Sequence, residues 1–203
     1  MKLPATFSYS SDDEVLRLDF VGRIEDTLRR YTDTDADYSE VLRDIAPGDP
    51  LVEIADARFR PDLEGKYREG RYNRPEFPAF YVAEDEETAM QEQLHQQRVQ
   101  WAASISSPVY FEFTNWHVRA TGHDISGQVL NYPELIADHW RLCQTVGSQA
   151  VEQKAEILRV ASARRKNGLN RVVFVRDVVR STGSTGRLAK VSWQGDSLDI
   201  DYA

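Results

Sequence analysis

Five arginines (Arg58, Arg60, Arg68, Arg71 and Arg74) and three tyrosines (Tyr67, Tyr72 and Tyr81) crowd into the stretch from Arg58 to Leu94. Clustered arginines offer bidentate, charge-assisted hydrogen bonds suited to phosphate or diphosphate, each worth about 1.5–3 kcal/mol when desolvated. Tyrosines add a flat face for a base or nicotinamide ring, and a hydroxyl to orient it. The combination points to a phosphate-bearing aromatic ligand. The same residues also suit a solvated charged loop, and spacing alone does not choose between the two.

Glu92 is the carboxylate of interest. It lies in an expected helix three positions after Ala89, so the two share a face, and a carboxylate beside a small residue can point into a cleft. A mid-helix glutamate is ordinarily exposed, so the position alone assigns nothing. The acidic pair Glu86/Glu87, which a glycosidase or nuclease would use, is explained equally well by the start of that helix. His95, His117, His123 and His139 are scattered, with no His-Glu-x-x-His pattern, and are read as structural or exposed; no metal site is expected. The lone Cys143 excludes an internal disulfide and a cysteine-only zinc site, and suits packing.

The chain has 203 residues with 25 Lys+Arg, 33 Asp+Glu and a net charge of −8. That length suits one domain of about 100–200 residues, perhaps with an appended segment, and needs no metal or disulfide to fold. The acidic balance argues against direct nucleic-acid binding, which rests on phosphate neutralisation by Lys and Arg, yet leaves room for a small anion held by local arginines. The first twenty residues lack a signal peptide's apolar core, and no apolar run approaches the ~20 residues of a membrane span. No membrane association is expected, and the protein is expected to be cytoplasmic.

These residues must be positioned by recognisable elements. Val21, Ile24 and Leu28 recur at helical spacing. A second short helix is expected over Tyr38–Ile45, stopped by Pro47, Gly48 and Pro50. Residues 1–50 thus read as a helical extension packed on a core formed by residues 51–203. Leu51, Ile54, Ala57 and Phe59 read as extended, and Phe77–Ala83 as a short apolar strand followed by a helix over Glu86–Trp101. Pro108–Trp116 is β-rich, Leu130–Gly147 helical, and Ile157–Ala161, Arg171–Val175 and Leu188–Trp193 are strands. The Gly- and Ser-rich Ser181–Arg187 lacks the pattern and context of a phosphate-binding loop and reads as a loop. Helices and strands do not alternate strictly, so an α+β fold is expected.

Against this background the chain resembles the RES domain family, named for its Arg, Glu and Ser. Gly70-Arg71-Tyr72-Asn73, then Tyr81-x-Ala83, then Ala89-x-x-Glu92 match its first motif, with Tyr72 where the family has Trp. Val160-Ala161-Ser162-Ala163-Arg164, followed by Gly168 and Asn170-Arg171-Val172-Val173-Phe174, is similar to its later serine motif. The resemblance runs from about Leu51 to Asp177. It implies an ADP-ribosyltransferase-like fold, with a split mixed β-sheet core flanked by helices. It also implies the toxin of a bacterial toxin–antitoxin pair, which cleaves the nicotinamide–ribose bond of NAD and passes ADP-ribose to inorganic phosphate or to a protein. Carried over residue by residue, Glu92, Tyr81, Ser162 and Arg60 would be catalytic. Arg71, Arg60, Tyr81, Ser162 and Asn73 would bind NAD. Arg60, which follows the aromatic Phe59, competes with Arg58 for the family's first arginine. The partner implied is a cognate antitoxin protein, and a non-catalytic partner-binding protein with the same fold is the alternative.

Overall fold

A computed structural model describes residues 9–10, 14–20, 50–101, 109–124, 132–194 and 197–202. It is an α+β fold built on one mixed sheet. The described strands are β1 (Tyr9–Ser10), β2 (Glu14–Phe20), β3 (Phe80–Ala83), β4 (Val109–Ala120) and β5 (His123–Asp124). They continue with β6 (Ile157–Ala161), β7 (Leu169–Val173), β8 (Val179–Gln194) and β9 (Ser197–Tyr202). Their order is β1-β5-β6-β7-β3-β2-β4-β8-β9. The β5–β6 pair is parallel and the other pairs are antiparallel. The described helices are α1 (Pro50–Phe59), α2 (Glu86–Trp101) and α3 (Arg141–Glu152), with a 3-10 turn η1 over Pro133–Ile136.

Two packed layers follow from the period-two alternation of the strands. On one face Leu158, Val160 and Val172 join Cys143, Val146 and Ala150 of α3 and Leu135 of η1. On the other face Phe80, Val82, Ile157 and Val173 pack with Ala55 of α1. Gly147 lets α3 approach closely: a Cβ there would lie 1.7 Å from the carbonyl oxygen of Tyr72.

Several expectations change. Leu51 to Phe59 is helical, not extended. Pro50 suits a first helical position, and Leu51, Ile54, Ala55 and Phe59 recur at spacings of three and four, a helical rather than a strand period. The helix expected over Leu130–Gly147 is two elements, because Pro133 opens the 3-10 turn and α3 starts only at Arg141. Ser181–Arg187 lies within β8, with Gly183 opposite His117 and Ser184 opposite Trp116, at register shifts where small residues are usual. Residues before 50, expected to be helical, include β1 and β2. Leu16, Leu18 and Phe20 alternate there with Arg17 and Asp19, and β2 pairs with both β3 and β4. The helices expected around Val21–Leu28 and Tyr38–Ile45 lie outside the described residues. The helix over Glu86–Trp101 and the strand over Ile157–Ala161 are as expected.

Candidate active site

Asp85 sets the start of α2. Its Oδ1 accepts the N–H of Thr88 at 2.9 Å and its Oδ2 accepts the Thr88 hydroxyl at 2.8 Å, an N-cap that satisfies free donors of the first turn. The loop from Ser162 to Gly168, which joins β6 to β7, grips the same helix end. Arg165 Nη1 donates to Asp85 Oδ2 and to Thr88 Oγ1, both at 3.2 Å, and its Nη2 to Glu87. Gly168 is required at this contact, since a Cβ there would fall 2.6 Å from Thr88 Oγ1.

That clamp brings Glu92 onto the end of the β6–β7 hairpin. Ser162 Oγ donates to Glu92 Oε1 at 2.6 Å, and Asn170 Nδ2 donates to the same oxygen at 2.8 Å. The carboxylate is therefore held at one oxygen, and among the described residues no hydrogen bond reaches the other, Oε2. Ser162 is 5% exposed, and its oxygen also accepts the N–H groups of Arg164 and Arg165, each at 3.1 Å. With both lone pairs so engaged, the hydroxyl is set up to orient Glu92 rather than to attack a substrate.

The loop that carries Arg71 is braced from β3. The Tyr81 hydroxyl accepts the N–H of Tyr72 at 2.8 Å and donates to Asn73 Oδ1 at 3.0 Å. Burial holds that hydroxyl protonated, raising its pKa well above the ordinary tyrosine value, against the Tyr72 hydrogen bond and the charge of Arg58. Gly70 fits beneath it, where a Cβ would lie 2.7 Å from the Tyr81 oxygen. Asn73, expected to bind NAD, is fully buried. Its amide donates to the carbonyls of Arg68 and Phe77 at 3.0 and 3.1 Å, so it shapes the loop from inside.

Arg71 lies against η1. Its Nε and Nη2 donate to the Leu135 carbonyl at 3.3 and 2.9 Å, and Nη2 also donates to the Ala137 carbonyl. Its Nη1 has no such bond among the described residues. Arg60 stands exposed beyond the end of α1, whereas Arg58 is the arginine whose charge reaches Tyr81.

His95 is one of the four scattered histidines that the sequence reads as structural or exposed. It follows Glu92 by three positions on α2, which puts the two on one face. Its pKa is lowered, first by burial and then by the charge of Arg164; Glu92 and Asp138 oppose this, and Arg71 adds to it. The helical spacing from Glu92 was the signal that could have found it. Glu92, Asp138, Arg164 and Arg71, drawn from α2, the η1 segment, the β6–β7 loop and the Tyr81-braced loop, thus all act electrostatically on His95. Among the described residues no group of three or more His, Cys, Asp or Glu could hold a metal ion. Nor is any described helix long and apolar enough to cross a membrane.

No curated protein matches the chain. Among solved structures, the crystal structure of the M. tuberculosis MbcT–MbcA toxin–antitoxin complex is similar at 20% identity and a TM-score of 0.41, covering 69% of this chain and 93% of the matched one. The family model for the RES domain matches residues 41–190, which take in the Arg71 loop, Glu92 and Ser162. On that match, spanning most of its length, the chain belongs to the RES domain family.

Proposed function

We propose that this protein is an NAD-cleaving enzyme acting as the toxin of a toxin–antitoxin pair. It would break the nicotinamide–ribose bond and pass ADP-ribose to inorganic phosphate or to a protein side chain. The observation that carries the reading is Glu92, fixed through Oε1 by Ser162 and Asn170, with no hydrogen bond to Oε2 among the described residues. Leaving of nicotinamide places positive charge on the ribose in an oxocarbenium-like transition state. A carboxylate already oriented there stabilises that charge without reorganising, and such preorganised groups are worth about 10²–10³ in rate.

Arg71, anchored on one edge by the η1 carbonyls, offers its remaining Nη1 to the diphosphate. Tyr81 and Asn73 act by holding the Arg71 loop. Of the two candidate first arginines the proposal takes Arg58, which is partly buried and acts on Tyr81, over the exposed Arg60. A cognate antitoxin that covers these residues is the partner that such an activity requires.

Incubating the purified protein with NAD, with and without inorganic phosphate, and weighing the products by mass spectrometry tests the reading. If phosphate is the acceptor, nicotinamide and a phosphorylated ADP-ribose are expected in the phosphate arm alone; if a protein is the acceptor, nicotinamide release is expected once a cell extract supplies it. Intact NAD in both arms, and with a cell extract supplied as a source of protein acceptors, overturns it in favour of a non-catalytic binding protein.

A further inference from the structure

Arg164 and Asp138 form an ion pair whose two halves differ sharply. Arg164 Nη1 and Asp138 Oδ1 are 2.7 Å apart, and the arginine side chain is 18% exposed while the aspartate side chain is 86% exposed. The backbone that carries Arg164 is anchored, since its N–H donates to Ser162 Oγ, the atom that also holds Glu92. The carboxylate stands at the protein's edge, one residue past Ala137, whose carbonyl receives Arg71. Arg71 and Arg164 therefore flank the same short segment, and both charges lower the pKa of His95. Asp138 itself is held below the usual carboxylate range by its hydrogen bond to Arg164, so it is an anion at neutral pH.

We propose that Arg164 is a seat for a substrate phosphate and that Asp138 is a built-in competing anion, which the incoming phosphate displaces. The proposal rests on the reading of the protein as an NAD-cleaving enzyme, and it names how that substrate's diphosphate is bound and checked. The physics is an exchange of anions. An almost fully exposed carboxylate returns to water readily, and its ion pair is weak and salt-screened. A diphosphate brings more charge and several acceptor oxygens to a planar donor that is already desolvated and pre-aimed. Arg164 would then hold the phosphate from the loop that fixes Glu92, so that phosphate and carboxylate are registered through one serine. Small singly charged anions would not displace Asp138 efficiently, which favours diphosphates over carboxylate metabolites.

The test uses the full chain and two probes, NAD for turnover and inorganic pyrophosphate for binding by calorimetry at low salt. Asp138→Asn removes the competitor. It is expected to tighten pyrophosphate binding and lower KM for NAD, each several-fold. Arg164→Gln removes the seat and is expected to weaken both by about tenfold or more, the scale of one charged hydrogen bond. Arg164→Lys keeps the charge without the fork and is expected to fall between, which guards against a fold defect in the glutamine variant. If Asp138→Asn weakens pyrophosphate binding or raises KM, the pair is a structural clamp and the proposal is overturned. Turnover of NAD with no response to any of the three variants also overturns the seat while leaving the NAD reading intact. The expected variant pattern for pyrophosphate in a protein that leaves NAD intact supports the seat and overturns the NAD reading instead.

Discussion

Glu92 is defined by its two donors more than by its place in the helix. Replacing it with Gln keeps size and hydrogen-bonding capacity but removes the charge, so turnover of NAD is expected to fall by about 10²–10³, a loss of roughly 2.7–4 kcal/mol of transition-state stabilisation. NAD affinity changes much less, because the ground state lacks the sugar charge. Arg71→Ala is expected to show the opposite split, with weakened NAD binding. Steady-state turnover together with calorimetric affinity on both variants checks the pair, and near-wild-type turnover of Glu92→Gln would remove the carboxylate from the mechanism. His95 gives a pH signature. Its pKa in the folded protein lies below the ordinary 6.5 because of burial and Arg164. As pH falls through 6.5 the unfolded chain therefore takes up a proton that the folded one resists. Stability is lost over the window from about 6.5 down to the lowered value and levels off beneath it; above 6.5 this residue contributes no pH dependence. Denaturant titrations from pH 8 to pH 5 on wild type and His95→Gln check it, and an unchanged slope in the variant would exclude His95 as the source.

At the scale of elements, α2 is aimed by the contacts at its first turn. Glu92 lies well inside the helix, so a shift at the N-terminus carries it off Ser162 and Asn170. Asp85→Ala removes the cap and is expected to cost about 0.5–2 kcal/mol of stability, with a drop in turnover at unchanged substrate chemistry. Gly168→Ala attacks the same contact from the loop side, because its Cβ would meet Thr88 Oγ1 at 2.6 Å. The loop or the helix end must then move, and both stability and turnover are expected to fall. Thermal denaturation and turnover on the two variants read this out; full turnover in both would mean that the clamp does not aim Glu92. Gly147 shows the same logic in the core, where α3 approaches the Tyr72 carbonyl too closely for any side chain.

Across the whole molecule, the two sheet faces divide the labour. The Glu92 cluster occupies the end of the face that bears α3. The opposite face carries a charged triad: Glu84 accepts Arg159 Nε and Nη2 at 2.5 and 2.6 Å and Arg171 Nε at 3.0 Å, joining β6 and β7 to the end of β3. Arg171 is 2% exposed, so removal of its carboxylate leaves a charge in a place that water does not reach. Glu84→Ala is expected to destabilise the fold by about 3–5 kcal/mol, measured by denaturant unfolding. A loss below 1 kcal/mol would mean that the remaining contacts of Arg171 compensate it. Glu84 and Asn170 stand on the strands that hold Glu92 in register, so the triad stabilises the platform from behind.

The elements that local pattern specifies strongly were legible from residue order alone. The helix from Glu86 to Trp101 has carboxylates at its start, and Ile157–Ala161 is an apolar strand bounded by polar residues. The motif residues Arg71, Tyr81, Glu92 and Ser162 were legible as well, since family resemblance is a property of order and spacing. Roles were not, because a role is a matter of what a side chain touches across a long sequence separation. Tyr81 and Asn73 form an internal brace that only folding assembles. Glu92 finds Ser162 seventy residues away. Arg164 acts on His95 because the β6–β7 loop closes onto α2. Ser181–Arg187 is strand rather than loop because β4 supplies hydrogen-bond partners that outweigh the local preference of Gly and Ser. Sequence by itself determined which chemical groups this protein carries and in what order. Tertiary structure decided which oxygen of Glu92 is held by Ser162 and Asn170 and which arginines act on His95, since those are long-range contacts that no local window contains.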